Sequence, residues 1–245
     1  MVNVKKLTIV LLTYNKSKTI EKTYNEIPFD IVDEVILIDD CSKDNTREVA
    51  RRLGIKHIVV HDQNKGNGGN QKCCYNKALG LGDDIVIMLP LDYQHTPKLI
   101  HSMVYLIANR VYEMVRGARI VGRGAIKGGI PRYKYIFKRL LTLFQKNLMR
   151  QKLSKYHTAY RALSRKVIES IDYLASSVYL IFYNKMLAQI LYKSFEIAEI
   201  TCPTKYFDEA SSIYFRRNVK YRLKVKSIQL NVFWQKQVYK DKIFK

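Results

Sequence analysis

Residues 33–46 read Asp-Glu-Val-Ile-Leu-Ile-Asp-Asp-Cys-Ser-Lys-Asp-Asn-Thr, and this stretch decides the fold class. Its apolar run, Val35 to Ile38, does not alternate with polar residues, so both faces of the strand it forms are buried, as in a parallel sheet covered by helices on two sides. The run stops at Asp39-Asp40, and Cys41 to Leu53 then reads as a helix with Ser42 or Asp44 as its N-cap. Working outward, the same unit recurs. Leu7 to Leu12 (LTIVLL) is a strand ending in the polar turn Thr13-Tyr14-Asn15, followed by a helical stretch to about Asn25. His57 to Val60 is a third strand, and the Asn/Gly-rich loop Asn64 to Asn70 leads into a helix expected from about Gln71 to Leu81. Ile85 to Leu89 is a fourth strand, ending at Pro90-Leu91-Asp92. This alternation predicts an α/β fold with a mostly parallel central sheet and helices on both faces. Ligands of such sheets bind at the carboxyl ends of the strands, which brings Thr13-Tyr14-Asn15, Asp39-Asp40 and Asp92 to one edge.

The chain has 245 residues, of which 47% are hydrophobic and 5 are prolines, enough for one well-filled core without long disordered segments. No window reaches the roughly 20 uninterrupted apolar residues of a membrane span; the best, Ile171 to Phe195, is broken by Asn184, Lys185, Gln189 and Lys193. No secretory signal is expected, since a strand begins by Leu7 with no cleavage-site pattern before it. Cys41, Cys73, Cys74 and Cys202 lack zinc-site spacing and read as reduced thiols.

The formal net charge of +22 is unevenly spread. Residues 1–92 hold 13 basic and 13 acidic side chains, whereas residues 93–245 hold 30 basic and 8 acidic ones. Between Tyr93 and Ile168, 17 Lys or Arg residues face one carboxylate, Glu113. Such a field favours a polyanionic partner: nucleic acid, a nucleoside diphosphate or an anionic bilayer. No nucleic-acid module is visible and no nucleic-acid partner is expected. Tyr133, Ile136, Phe137, Leu140, Leu141, Phe144 and Leu148 recur at helical spacing among Lys134, Lys138, Arg139, Lys146 and Arg150, which predicts a basic amphipathic helix. It would serve equally as an interfacial helix on an anionic membrane surface or as a core-packing helix.

The segments TIVLLTYNKSKTI, DEVILIDDCSKDNT, NKGNGG, GDDIVIMLPLDYQHTPKLI, YHTAYRALS and CPTKYFDEASSI, in this order, resemble the family-two inverting glycosyltransferases of the GT-A fold, most closely the branch of dolichol- and polyprenol-phosphate sugar synthases. The resemblance implies a domain over residues 1–217 with a basic extension at 218–245. It further implies that Thr13, Tyr14, Asn15, Asp39, Asp40 and Lys65 bind the nucleotide of a UDP- or GDP-sugar donor. Asp40 can alternatively cap the helix that follows it, and the family's glutamate after Tyr-Asn is Lys16 here.

The family's Asp-x-Asp-x-Gln metal run reads Pro90-Leu91-Asp92-Tyr93-Gln94. The resemblance therefore implies Mg²⁺ or Mn²⁺ on Asp92 and Gln94, in a weakened site, with His157 completing the shell or binding phosphate, or else serving a structural role. Arg119, in Gly117-Ala118-Arg119, matches an arginine suited to neutralising the leaving diphosphate. Arg161 either contacts phosphate or pairs with a strand-end carboxylate such as Asp92. Lys205 and Ser212 fall in the segment that closes over the diphosphate in the family.

Transfer to a hydroxyl needs a general base, and residues 173–195 contain no carboxylate. A phosphate acceptor is already anionic, so the missing base and the excess positive charge point together to a polyprenyl phosphate. Transfer to a glycan or lipid hydroxyl, with Asp172 or Asp208 as base, and a nucleotide-sugar-binding homologue without turnover remain as alternatives. The expected location is the cytoplasmic face of a membrane, peripherally bound.

Overall fold

The computed structural model describes residues 5–118, 158–176 and 182–203. The strands are β1 (Leu7–Thr13), β2 (Glu34–Asp39), β3 (His57–Val60), β4 (Ile85–Pro90), β5 (Met114–Ala118), β6 (Arg161–Ser164) and β7 (Ile197–Thr201), and they form one sheet in the order β3-β2-β1-β4-β6-β5-β7. Strands β3, β2, β1 and β4 are mutually parallel; β6 runs antiparallel to both of its neighbours, β4 and β5, and β7 pairs parallel with β5. The mostly parallel sheet is thus as expected, with one reversed strand joining its two halves.

Because alternate side chains point to opposite faces, each continuous apolar strand feeds two cores. Val10, Ile36, Ile38, Val86, Met88 and Leu163 pack on one face with helices α3 (Gly66–Gly80), α5 (Arg165–Ser170) and α6 (Phe182–Tyr192). Ile9, Leu11, Leu37, Ile87, Leu89 and Ala162 pack on the other with α1 (Ser17–Tyr24), α2 (Thr46–Arg52) and α4 (Ile100–Ala108). Strands β6 and β7 and helices α4, α5 and α6 have no counterpart among the elements expected from the sequence.

Two helices depart from their expected bounds, for a shared reason. The second begins at Thr46 rather than Cys41, because Ser42 and Asp44 spend their side chains on neighbouring turns. Ser42 hydrogen-bonds Asp39 and accepts the Asn15 N–H at 2.9 Å, and Asp44 accepts the Ser17 and Thr46 N–H groups, each at 3.1 Å. The third helix begins five residues early, at Gly66 rather than Gln71. Glycine is a poor helix former, but here the Asp40 carboxylate accepts the N–H of Lys65 at 2.8 Å and of Gly66 at 3.0 Å, filling donors that the first turn leaves open. Asp40 therefore caps a helix, though α3 and not the one directly after it.

Proline at position 90 is compatible with a central strand because it is the last residue of β4. Its register with β1 ends at Leu12↔Pro90, while the β4–β6 ladder stops at Met88↔Arg161, so the absent N–H interrupts no bond toward β6.

Asp40→Ala is expected to lower the free energy of unfolding by about 1–2 kcal/mol, the scale of a lost helix cap. Urea denaturation monitored by circular dichroism measures this directly.

Candidate active site

The carboxyl ends of β1, β2 and β4 converge, and each is followed by a non-glycine residue in the left-handed region: Asn15 (φ 53°), Cys41 (φ 64°) and Tyr93 (φ 53°). Side chains other than glycine adopt this conformation at a cost, so the surrounding bonds must hold it in place. They do so as a zipper between the first two strand ends. The Asp40 N–H donates to the Thr13 carbonyl at 2.9 Å, the Lys43 N–H to Asn15 Oδ1 at 2.8 Å, and the Lys16 N–H to Thr46 Oγ1 at 2.8 Å. Burial alone would raise the Asp44 carboxyl, but the hydrogen bonds from Thr46 and Ser17 outweigh it and hold the group below its usual value.

Asp39 is wholly buried. Its carboxylate lies 3.1 Å from Thr13 Oγ1, accepts the Ser42 N–H at 3.1 Å and the Ser42 hydroxyl, and sits 3.4 Å from Arg47 Nε. Asp40 is also buried, and besides capping α3 it lies 3.0 Å from His61 Nδ1. Of the expected nucleotide ligands, Thr13, Asn15, Asp39 and Asp40 are thus joined in one bonded cluster. Tyr14 stands at its rim, 45% exposed. Lys65 touches the cluster through its main-chain N–H and is also among the residues lining a groove with Cys73 and Lys77.

At the end of β4, Asp92 Oδ1 accepts the Gln94 N–H at 3.1 Å and lies 3.5 Å from Nδ1 of His95. His95 is buried and meets the ring of Tyr160 edge-on, 5.6 Å between centroids, and Tyr160 Oη donates to the Thr96 carbonyl at 3.2 Å. That ring occupies space that only a glycine opposite could leave, since a Cβ on Gly117 would lie 2.4 Å from Tyr160 Cδ1. Thr158 Oγ1 donates to the Gly117 carbonyl at 2.8 Å, binding the two segments together. Arg119 and His157 lie outside the described residues, as do Lys205, Ser212, the helix expected over 133–150 and the 218–245 extension.

Arg161 does not pair with Asp92. It is 2% exposed, and among the described residues its guanidinium donates to the Tyr75 hydroxyl (2.8 Å from Nη2, 3.1 Å from Nε) and to Gln71 Oε1, with Tyr183's ring 4.7 Å away. The cation is held by neutral acceptors and a ring face. Burial pushes the Tyr75 phenol up to about 12, against the opposing pull of Arg161. On the next strand Arg116, in register with Arg161, pairs with Glu199 of β7 at 4.0 Å. His61, His95 and the Arg116–Glu199 pair were not singled out from sequence. His95 stands three residues after Asp92 and His61 directly follows β3, and those positions at strand ends were the available signal.

A parallel sheet whose first, second and fourth strands present hydroxyl, amide and carboxylate groups at one edge, continued by a reversed strand, defines the GT-A class of glycosyltransferase folds. Crystal structures of glucosyl-3-phosphoglycerate synthase from Mycobacterium tuberculosis share the fold: one solved with Mn²⁺, UDP-glucose and phosphoglyceric acid superposes with a TM-score of 0.72 at 16% identity, covering 94% of this chain and 80% of that one. Residues 8–172 match the family described as Glycosyl transferase family 2, and the chain belongs to that family. It is 33% identical over 132 residues to the UDP-N-acetylglucosamine–dolichyl-phosphate N-acetylglucosaminyltransferase of Methanococcus voltae, covering 47% of this chain and 53% of that protein. It is 23% identical over 180 residues to the dolichol-phosphate mannosyltransferase of Pyrococcus furiosus, covering 68% of this chain and 48% of that protein. The chain thus spans about half the length of these relatives.

Arg161→Met is expected to destabilise the protein by about 2–6 kcal/mol, because it strips the cation from two buried acceptors, each worth about 1–3 kcal/mol when left unpaired. Arg161→Lys should recover only part of this, since an ammonium cannot reproduce the guanidinium fork and its ring contact. The midpoints and slopes of urea unfolding for both variants check it.

Proposed function

We propose that this chain transfers a sugar, with inversion, from a nucleoside-diphosphate donor to a polyprenyl phosphate, bound peripherally at the cytoplasmic face of a membrane. The observation that carries the acceptor is the distribution of acid groups. Asp92 is the carboxylate at the β4 end, and helix α6 with its flanks offers none, since residues 173–195 contain no Asp or Glu. Asp172, the nearest candidate base in sequence, accepts the Ala175 N–H at 2.9 Å and is occupied in a turn. A phosphate nucleophile needs no base, so such a site suits a phosphate better than a hydroxyl. The dolichyl-phosphate relatives support the same acceptor class. None of the described helices is long and apolar enough to cross a membrane, which is compatible with peripheral binding.

In this reading the nucleoside lies against Thr13, Tyr14 and Asn15, on a floor fixed by Asp39 and Asp40, and the sugar phosphate points toward Asp92. Among the described residues no group of three or more His, Cys, Asp or Glu side chains surrounds a common point. One carboxylate with an adjacent amide nevertheless fits Mg²⁺ or Mn²⁺, because such hard ions accept few protein ligands when phosphate oxygens and water supply the rest. Asp92 and Gln94 would hold it, with His157 as a further ligand, and the bound ion would neutralise charge on the diphosphate. Arg119 would share that task. Catalysis then rests on positioning and charge stabilisation. Proline at position 90, where the family has a metal-ligating aspartate, keeps a non-catalytic donor-binding role as the second reading.

Thermal unfolding with UDP- and GDP-sugars is expected to show donor stabilisation that increases with Mn²⁺, since a ligand of the folded state stabilises by mass action. Asp92→Ala should remove the Mn²⁺-dependent increment. Asp84→Ala should retain it, because Asp84 lies at the opposite end of β4, accepting the Lys6 N–H at 3.0 Å. Labelled sugar should then move from donor into an organic-extractable polyprenyl phosphate. Donor binding without any transfer would leave the second reading standing, and an Asp92→Ala protein with unchanged metal response would overturn the site.

A further inference from the structure

Tyr93 is the left-handed residue at the end of β4, and the bonds that join the ends of β1 and β2 do not reach it. Asn and Asp favour that conformation because their short polar side chains bond their own backbone; tyrosine cannot, so its turn is held from elsewhere. Two bonds do this, one from α1 and one from the turn after it. The Thr19 hydroxyl donates to the Leu91 carbonyl at 2.5 Å, and the Tyr93 hydroxyl donates to Glu26 Oε1, also at 2.5 Å. Thr19 and Leu91 are 8% and 2% exposed, so their bond is made out of water, where leaving it unmade is costly.

The residues tied down are the two neighbours of Asp92, one on each side. Backbone freedom amounts to two soft dihedrals per residue, so fixing Leu91 and Tyr93 leaves Asp92 little choice of direction. Its side chain keeps 23% of its surface exposed, and an ion can reach it. Helix α1 also follows closely on Thr13-Tyr14-Asn15: it begins at Ser17, and the Thr19 N–H donates to the Lys16 carbonyl at 3.1 Å. One short helix with its following turn therefore sets Asp92 relative to the end of β1.

We propose that Glu26 is a positioning residue for Asp92: its hydrogen bond with Tyr93 holds the turn in which Asp92 and Gln94 accept a divalent cation with the donor diphosphate. This rests on the reading of Asp92 and Gln94 as the metal-binding pair. In this role Glu26 is no ligand and acts through the tyrosine. Without the bond the turn relaxes toward ordinary backbone angles, and apparent metal affinity falls with the fraction of chains that keep the competent turn.

The test measures how Mn²⁺ tightens nucleotide binding to the full chain, by calorimetric titration of UDP or GDP, whichever binds more tightly, over a series of Mn²⁺ concentrations. Glu26→Ala and Tyr93→Phe should each raise the Mn²⁺ concentration for half of that tightening about tenfold, as when about one chain in ten keeps the turn. Affinity for the nucleotide without metal should stay unchanged, which a general loss of structure would not allow. Glu26→Gln should recover most of the metal response, because its amide oxygen still accepts from the tyrosine hydroxyl. Glu26→Ala combined with Tyr93→Phe should lose no more than either change alone, since both remove one bond. Additive losses, a metal-free affinity that falls by the same factor, Glu26→Gln as weak as Glu26→Ala, or an unaltered response in both single variants overturns the proposal. Asp92→Ala separates this from the site itself. If it loses the Mn²⁺ response while Glu26→Ala and Tyr93→Phe keep it, the positioning role alone fails. If Asp92→Ala keeps the response, or the unaltered chain shows none, the metal site fails and the positioning role with it.

Discussion

The carboxylate of Asp40 is the joint on which the rest of the structure depends. Its oxygens receive the N–H groups of Lys65 and Gly66 and the Nδ1 side of His61, while its own N–H reaches back to Thr13. One residue thus joins β1, β2, the end of β3 and the start of α3. A buried carboxylate is tolerable only when such donors surround it. This bonding lets a helix start on a glycine-rich segment and pins the ends of β1, β2 and β3 to one another.

The other half of the sheet is organised by buried arginines. Arg161 stands at the start of the reversed strand, opposite Met88 on one side and Arg116 on the other. Two guanidinium groups facing each other across a ladder would repel, and the structure separates their partners: Arg116 has Glu199 on β7, whereas Arg161 has Tyr75 and Gln71 on α3. The arginine of β6 therefore binds the helix capped by Asp40 to the strand bordering β4. The Asp40 cluster and strand β6 are thus joined through α3.

For function, the shortage of carboxylates is as informative as those present. A site with one acid at the β4 end and none along α6 is poorly supplied for deprotonating a hydroxyl, and a surplus of positive charge accompanies it. Both features suit anionic reactants on the donor and acceptor sides.

The sequence by itself determined the α/β class, the parallel strand ends and the clustering of Thr13, Asn15, Asp39 and Asp40, because a continuous apolar strand and the residue at its end are local facts of the chain. It also determined the family, through ordered motifs. Only the tertiary structure decided which helix Asp40 caps, that Arg161 turns to Tyr75 and Gln71 rather than to Asp92, and that His61 backs Asp40. Each of those choices sets one buried polar group against partners from distant parts of the chain. Local propensity carries no term for such competition, and burial, which makes an unpaired group expensive, settles it.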